Sequence, residues 1–287
     1  MTNPPEYRSN EIAQASIVAS WEVLEGMNKH LPLEEVGFQC FSEFEEDGML
    51  LYLFTVLGHG NRTVVEISSQ DGRVCMASNL IVHHRWRGFL YDADERHVKA
   101  GHRFFGNHPA TRSFPPSLNA RWFDRDNIGQ VLQDDGVPDD VDLLSLDIDG
   151  VDLYLWDALK LRPRVLLCEF NNAVPIDSAL TVPYDAQFRF DQQQERHAFF
   201  RSASLKAYDT VCRAKGYRYV GCNALGFNAF FLRDDVGIDR FPARDIRDIE
   251  RLPFVEHIRS ECWPALQSLP WVDLDTEEGR ASFRSLS

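Results

Sequence analysis

Between Thr63 and Phe170, short β-rich runs alternate with amphipathic helical stretches, and this alternation constrains the fold more than any other feature of the chain. Strands are expected at Thr63 to Ile67, Gly88 to Asp92, Leu118 to Phe123, Val141 to Ile148 and Arg164 to Phe170. Helices are expected between them, near Val74 to His83, Asp94 to Phe105, Asp126 to Asp134 and Val151 to Leu159, several opening after Asp or Gly as capping predicts. Five strand-helix units in succession imply a parallel sheet with helices on both faces. Ser202 to Ala214 then reads as a helix ended by Gly216, and Tyr217 to Cys222 and Phe227 to Arg233 read as a terminal β-hairpin around Asn223-Ala224-Leu225-Gly226. The fold class is α/β, a seven-stranded, mostly parallel sheet closed by an antiparallel hairpin.

A chain of 287 residues suits one large domain of this kind with terminal extensions. The expected division is a helical extension or lid over 1–60, with helices at Glu11 to Met27 and Leu50 to Leu57, a core over 61–235, and a helical extension over 236–287. Inside the core, the irregular stretch from Asn171 to His197 contains Pro175 and Pro183 and far exceeds the usual connection of about 4–6 residues, which marks an active-site loop near 172–197. The tail carrying Cys262-Trp263-Pro264 and Pro270-Trp271 reads as a further wall of the site or as a homodimer contact.

With 20 Phe and 6 Trp there is ample material for a core, and global disorder is excluded. The formal charge of -14 repels phosphate backbones and anionic lipid, so nucleic acid and membrane surfaces are not expected partners. Six scattered cysteines without a C-x-x-C pair fit a reducing cytoplasm. The first residues, Met1-Thr2-Asn3-Pro4-Pro5-Glu6, have neither a basic nor an apolar signal region, and the longest apolar runs fall short of the roughly 18 residues a membrane span needs, so no export is expected.

Open α/β sheets place ligands at the carboxyl ends of their strands, and polar residues gather at those positions here. The first strand runs into Glu66-Ile67-Ser68-Ser69-Gln70-Asp71-Gly72, an acidic residue followed by a turn. The second ends at Asp92, a carboxylate suited to accept both hydroxyl protons of a ribose. The third ends at Trp122-Phe123, read as an adenine-stacking surface or as core. The fourth ends at Asp147-Ile148-Asp149-Gly150 and the fifth at Glu169-Phe170-Asn171. The first turn has no G-x-G-x-x-G run, which argues against a nicotinamide oxidoreductase.

The order of elements resembles class I, Rossmann-like methyltransferases, whose strand order is 3-2-1-4-5-7-6. From about Phe41 to Arg233 the chain resembles the FkbM-like family of S-adenosylmethionine-dependent methyltransferases. The segments that carry the likeness include Glu45-Glu46-Asp47-Gly48, Val64 to Gly72, Ser78-Asn79-Leu80, Gly88 to Asp94, Asp126-Asn127-Ile128, Asp142 to Gly150, Thr181 to Asp185, Lys215-Gly216-Tyr217 and Gly221 to Phe231. The resemblance implies methyl transfer from S-adenosylmethionine, often to a hydroxyl of a sugar or another small natural product. It implies a cofactor site at Glu66, Ser68, Gly72, Asp92, Phe123 and Asp147. Asp147, Asp149 or Glu169 would then remove the acceptor's proton, and Asn171 would orient the acceptor.

One departure matters. Members of the family usually carry glycine where this chain has Ser68, and Gln70 also stands where Gly or Asn is usual. Either Ser68 tolerates the turn and donates to the cofactor, or the fold has left methyl transfer for a binding or scaffold role or another chemistry. Asp147, Asp149, Glu169 and Asn171 would also suit Mg²⁺ with their hard oxygen ligands, although no ligand spacing is diagnostic and a base is the preferred reading. Asp147 and Asp149 have a turn-forming reading as well, with Gly150 suited to a left-handed conformation. His83 and His84 are read as complementing a helix dipole, and His197 as a loop histidine or a base.

Overall fold

The computed structural model describes residues 5–189 and 198–285. His197, and with it part of the expected active-site loop, lies outside the described residues.

Seven strands form one sheet: β1 (Thr63–Ile67), β2 (Arg87–Asp92), β3 (Ser117–Ala120), β4 (Leu143–Leu146), β5 (Val165–Glu169), β7 (Tyr217–Cys222) and β8 (Asn228–Arg233). Their order is β3-β2-β1-β4-β5-β8-β7. β6 (Leu180–Thr181) belongs to a separate pair, so the order is the expected 3-2-1-4-5-7-6, that of a class I, Rossmann-like methyltransferase fold. β1 pairs parallel with β2, and β2 parallel with β3, whereas β8 is antiparallel to both β5 and β7. Each residue of β1 is buried, which is why its sequence is a nearly unbroken β-branched run around Glu66 instead of an alternating one.

The chain divides into two compact units. The first comprises Met1–Arg121 and Val141–Ser145, and the second Trp122–Asp140 and Leu146–Ser287. In the first lie α1 (Pro5–Gly26), α2 (Glu46–Leu57), α3 (Ser78–His84) and α4 (Glu95–Asn107). α4 is capped by Asp94, whose side chain accepts from the Arg96 N–H at 2.7 Å. It lies close to the sheet, since a Cβ on its Gly101 would stand 2.3 Å from Leu118 Cδ2 and 3.2 Å from the Asp71 carbonyl. α3 starts at Ser78, not near Val74, because the amides of Met76 and Ala77 turn back to the Glu66 carboxylate instead of entering the helix.

The second unit holds α5 (Ile128–Asp134), α6 (Asp152–Ala158), α7 (Leu205–Ala214), α8 (Pro253–Leu266) and α9 (Glu277–Ser285). Ser204 caps α7, accepting from the Ala207 N–H at 3.2 Å. Two residues of the irregular stretch after β5 form β6, which pairs antiparallel with β9 (Val272–Asp273). Beside this pair Trp271 meets the edge of Phe200 at 4.7 Å, so the tail packs on the segments that follow β5. All six cysteines are free, and among the described residues no helix is long and apolar enough to cross a membrane.

Candidate functional site

The turn after β1 keeps the backbone of a glycine-rich loop without most of its glycines. Ser68 and Gln70 have φ of +74° and +49°, and Gly72 has +79°. An L side chain in this region costs about 1 kcal/mol or more per residue, so the turn is strained at Ser68 and Gln70. Backbone bonds hold it: the N–H groups of Ser68 and Ser69 both donate to the Tyr91 carbonyl, at 2.8 and 2.9 Å. Gly72 is required twice over, by its torsion and because a Cβ would stand 2.4 Å from the ring of Phe105.

Glu66 faces the protein. It is 4 % exposed and accepts from the N–H groups of Met76 and Ala77 at 2.9 and 2.6 Å and from the Cys75 thiol at 3.1 Å. Burial pushes its carboxyl up to about 7, outweighing the three donors that favour the charged form. Its observed work is therefore to fix the segment that leads into α3.

Asp92 ends β2 and is 7 % exposed. Its Oδ2 accepts from the Gln70 N–H at 2.8 Å, and its Oδ1 lies 2.8 Å from the Asp94 N–H and 3.1 Å from His97 Nδ1. The carboxylate thus ties the end of β2 to the strained turn. Oδ2 still has a lone pair for a further donor, so the geometry permits one ribose hydroxyl more readily than two.

In the second unit, Asp147 and Asp149 follow the carboxyl end of β4 and Glu169 ends β5, with one carboxylate oxygen from each within 4.8 Å of the others. Burial together with the neighbouring carboxylates of Asp149 and Asp152 pushes Asp147 up to about 8. Glu169 is also raised well above the carboxylate range, first by burial and then by Asp147. Both carboxyls are therefore held toward the protonated form. Arg201 brings a positive charge to the cluster, bonded through Nη1 to Asp149 and through Nη2 to Glu169 Oε1 at 3.2 Å.

Arg201 and Asp152 were not among the residues singled out by sequence. Asp152 opens α6 and accepts from the N–H groups of Ile148 and Gly150, at 2.6 and 2.9 Å, shaping the turn that carries Asp147 and Asp149. An Asp just after a strand-end turn was the available signal for it. Arg201 has no local signal, since its partners are 52 and 32 residues away.

Three expectations need correction. Asn171 does not present its amide to an acceptor: Nδ2 donates to the carbonyls of Phe199 and Arg201, Oδ1 accepts from the Ala173 N–H, and the residue is 5 % exposed. It holds the backbone that carries Arg201. The left-handed residue in the acidic turn is Asp149, at φ +56°, not Gly150, which is needed because a Cβ there would stand 2.6 Å from Phe188 Cδ1. Burial disfavours the charged forms of His83 and His84 at the end of α3, against the expected dipole role, and pushes His84 down to about 4. His84 is instead neutral and bonded to Gln14 Oε1 at 2.6 Å.

Phe123 is buried at 5 % exposure. Its neighbour Trp122 donates from the indole to the Ala186 carbonyl at 2.8 Å, fixing the segment between Thr181 and Arg189.

No protein-family model matches the chain. No curated protein matches it either. Among solved structures it is similar to the magnesium protoporphyrin IX methyltransferase ChlM of Synechocystis PCC 6803 with bound SAH, at 12% identity over 78% of this chain and 83% of that one, with a TM-score of 0.38. It is similar to the N-terminal domain of EvdMO1 with SAH bound, at 9% identity over 68% and 88%, with a TM-score of 0.43. The CcbJ methyltransferase of Streptomyces caelestis is similar at 11% identity over 63% and 92%, with a TM-score of 0.38. The fold itself is assigned on the strand order of the sheet.

Proposed function

We propose that this chain is an S-adenosylmethionine-dependent methyltransferase of FkbM-like type that methylates a hydroxyl of a small molecule or sugar, in natural-product biosynthesis. The observation that carries the reading is the turn after β1: it holds glycine-type torsions at Ser68, Gln70 and Gly72 and is fastened by Gln70 to the carboxylate that ends β2. Such strain persists only where surrounding structure enforces it, and it concentrates at ligand sites. S-adenosylmethionine, when bound, supplies the electrophilic methyl group. Asp92 would accept from its ribose, Ser68 would donate to its carboxylate, and Phe123 would stack on its adenine. The Asp147–Glu169 pair, with a proton affinity raised toward neutrality, would take the acceptor's proton, with Asp149 and Arg201 setting its charge. The same three carboxylates have the donor set for Mg²⁺, with Arg201 as the internal cation an ion would displace.

Calorimetric titration of the pure chain with S-adenosylmethionine and S-adenosylhomocysteine tests the reading directly. Binding of both is expected; failure of both at about millimolar concentration would remove it. The second reading, a methyltransferase fold kept for binding or another chemistry, is favoured by the Cβ of Ser68 and by the protein partners already engaged by Asp92 and Glu66. It predicts that null result.

A further inference from the structure

The first unit contains a cavity of about 430 Å³ that has no part in the proposed cofactor turn. It lies around the residues that precede β1 and β2, the opposite ends of those strands from Ser68 and Asp92. Its volume falls in the usual range for small-molecule sites, roughly 300–1,000 Å³.

The lining is chemically unusual for a chain of charge -14. Two guanidinium groups, Arg62 and Arg85, line it beside the imidazoles of His59, His83 and His84, and Glu22 is the one carboxylate on its walls among the described residues. Several guanidinium groups elsewhere find acids, as Arg73 does with Asp71 and Arg213 with Asp209. Here the Arg62 guanidinium is held instead by an imidazole, donating from Nε and Nη2 to His59 Nε2 at 2.9 and 2.6 Å. The Arg85 side chain has no hydrogen bond or ion pair to the described residues. Buried Phe54 and Trp86, their rings 4.6 Å apart, and Leu51 supply an apolar side.

A second observation is independent of charge. Both arginines stand in the left-handed region, Arg62 at φ +53° and Arg85 at φ +61°, where a glycine or asparagine fits without cost. Arg85 ends α3 at the position where glycine is the usual stop. Two arginines placed at strained positions on one cavity mark the side chains, not the backbone, as what the positions require.

We propose that this cavity is a second small-molecule site, for an oxyanion carried on a planar apolar body. The carboxylate or phosphate head would lie against Arg62 and Arg85, whose forked donors match such groups, and the body against Leu51, Phe54 and Trp86. The site stands whether or not the chain transfers methyl groups.

The test uses the full chain and three probes with one ring: benzoate, phenyl phosphate and uncharged benzyl alcohol, followed by calorimetry and ligand-observed NMR. At least one of the two anions should bind with a Kd of about 1 mM or tighter, at least tenfold ahead of the alcohol, and the better head identifies carboxylate or phosphate. Saturating S-adenosylhomocysteine should not displace it. The Arg62→Gly/Arg85→Gly variant relieves both torsions, so it should melt no lower than wild type while affinity falls tenfold or more. Arg85→Glu, at an exposed position, is the second variant and should abolish binding of the anion. The proposal is overturned if neither anion binds at about 10 mM, if benzyl alcohol binds as well, if S-adenosylhomocysteine competes, or if the folded variants bind like wild type.

Discussion

The backbone N–H of Gln70 donates to Oδ2 of Asp92 across 2.8 Å, so the carboxylate that ends one strand also sets the turn that follows its neighbour. Replacing Asp92 by Ala therefore strikes twice. Chemical denaturation should show a loss of about 1–3 kcal/mol from the unsatisfied amides of Gln70 and Asp94, and cofactor affinity should fall by about 1.5–3 kcal/mol. A folded Asp92→Ala chain with unchanged affinity would exclude the ribose role.

Glu66 gives a pH dependence whose direction is fixed. Its carboxyl is raised from 4.5 to about 7 in the folded chain, so folding favours the protonated form. That stability is fully present below about 4.5 and is lost as pH rises through about 7, a change on the order of 3 kcal/mol. Urea unfolding followed between pH 5 and 8 at roughly one-unit steps should show the decline, and Glu66→Gln should flatten it while lowering stability, since its NH₂ meets the N–H of Ala77 or Met76. A wild-type curve flat across this window would contradict the raised value.

Turnover should climb as pH rises toward and through about 8, where Asp147 gives up its proton. Asp147→Asn and Glu169→Gln should keep cofactor affinity and lose activity by about 10²-fold or more. EDTA separates base from metal: exhaustive chelation should leave the rate unchanged if the carboxylates act as a base, and abolish it, with recovery on adding Mg²⁺, if they hold an ion. Normal turnover in both variants would exclude each role.

Ser68→Gly tests the strained turn. Relief of the +74° torsion should raise stability by about 1 kcal/mol, read as a higher Tm. If the serine donates to the cofactor, affinity should stay within a few-fold; if its Cβ obstructs the site, affinity should rise sharply from a weak or absent starting value. A lower Tm would show that the torsion is not a source of strain.

The sheet could be read from sequence because its signal is local: runs such as Thr63 to Ile67 and Val165 to Glu169 are apolar on both faces, and turn residues separate them from amphipathic helices. The acidic cluster was legible for the same reason, each carboxylate standing at a strand end. Arg201 was not, because it meets Asp149 and Glu169 only after the chain has returned from a long excursion. Asn171 was located but given the wrong partner, since sequence marks an amide at a strand end without saying that the Phe199 and Arg201 carbonyls will occupy it. β6 and β9, two residues each, are too short for any period to show.

The placement of β8 between β5 and β7 sets a schedule for the growing chain. β5 is complete at Glu169, but the strand that covers its outer edge begins only at Asn228. At translation speeds of about 5–20 residues per second, a hydrophobic edge made of Val165, Leu166 and Leu167 waits several seconds for its partner. β7 is made earlier but bonds to the sheet only through β8, so it cannot serve as a temporary cover in its native place. Slowing synthesis between Asn171 and Phe227 should therefore lower the yield of folded protein more than slowing it after Arg233.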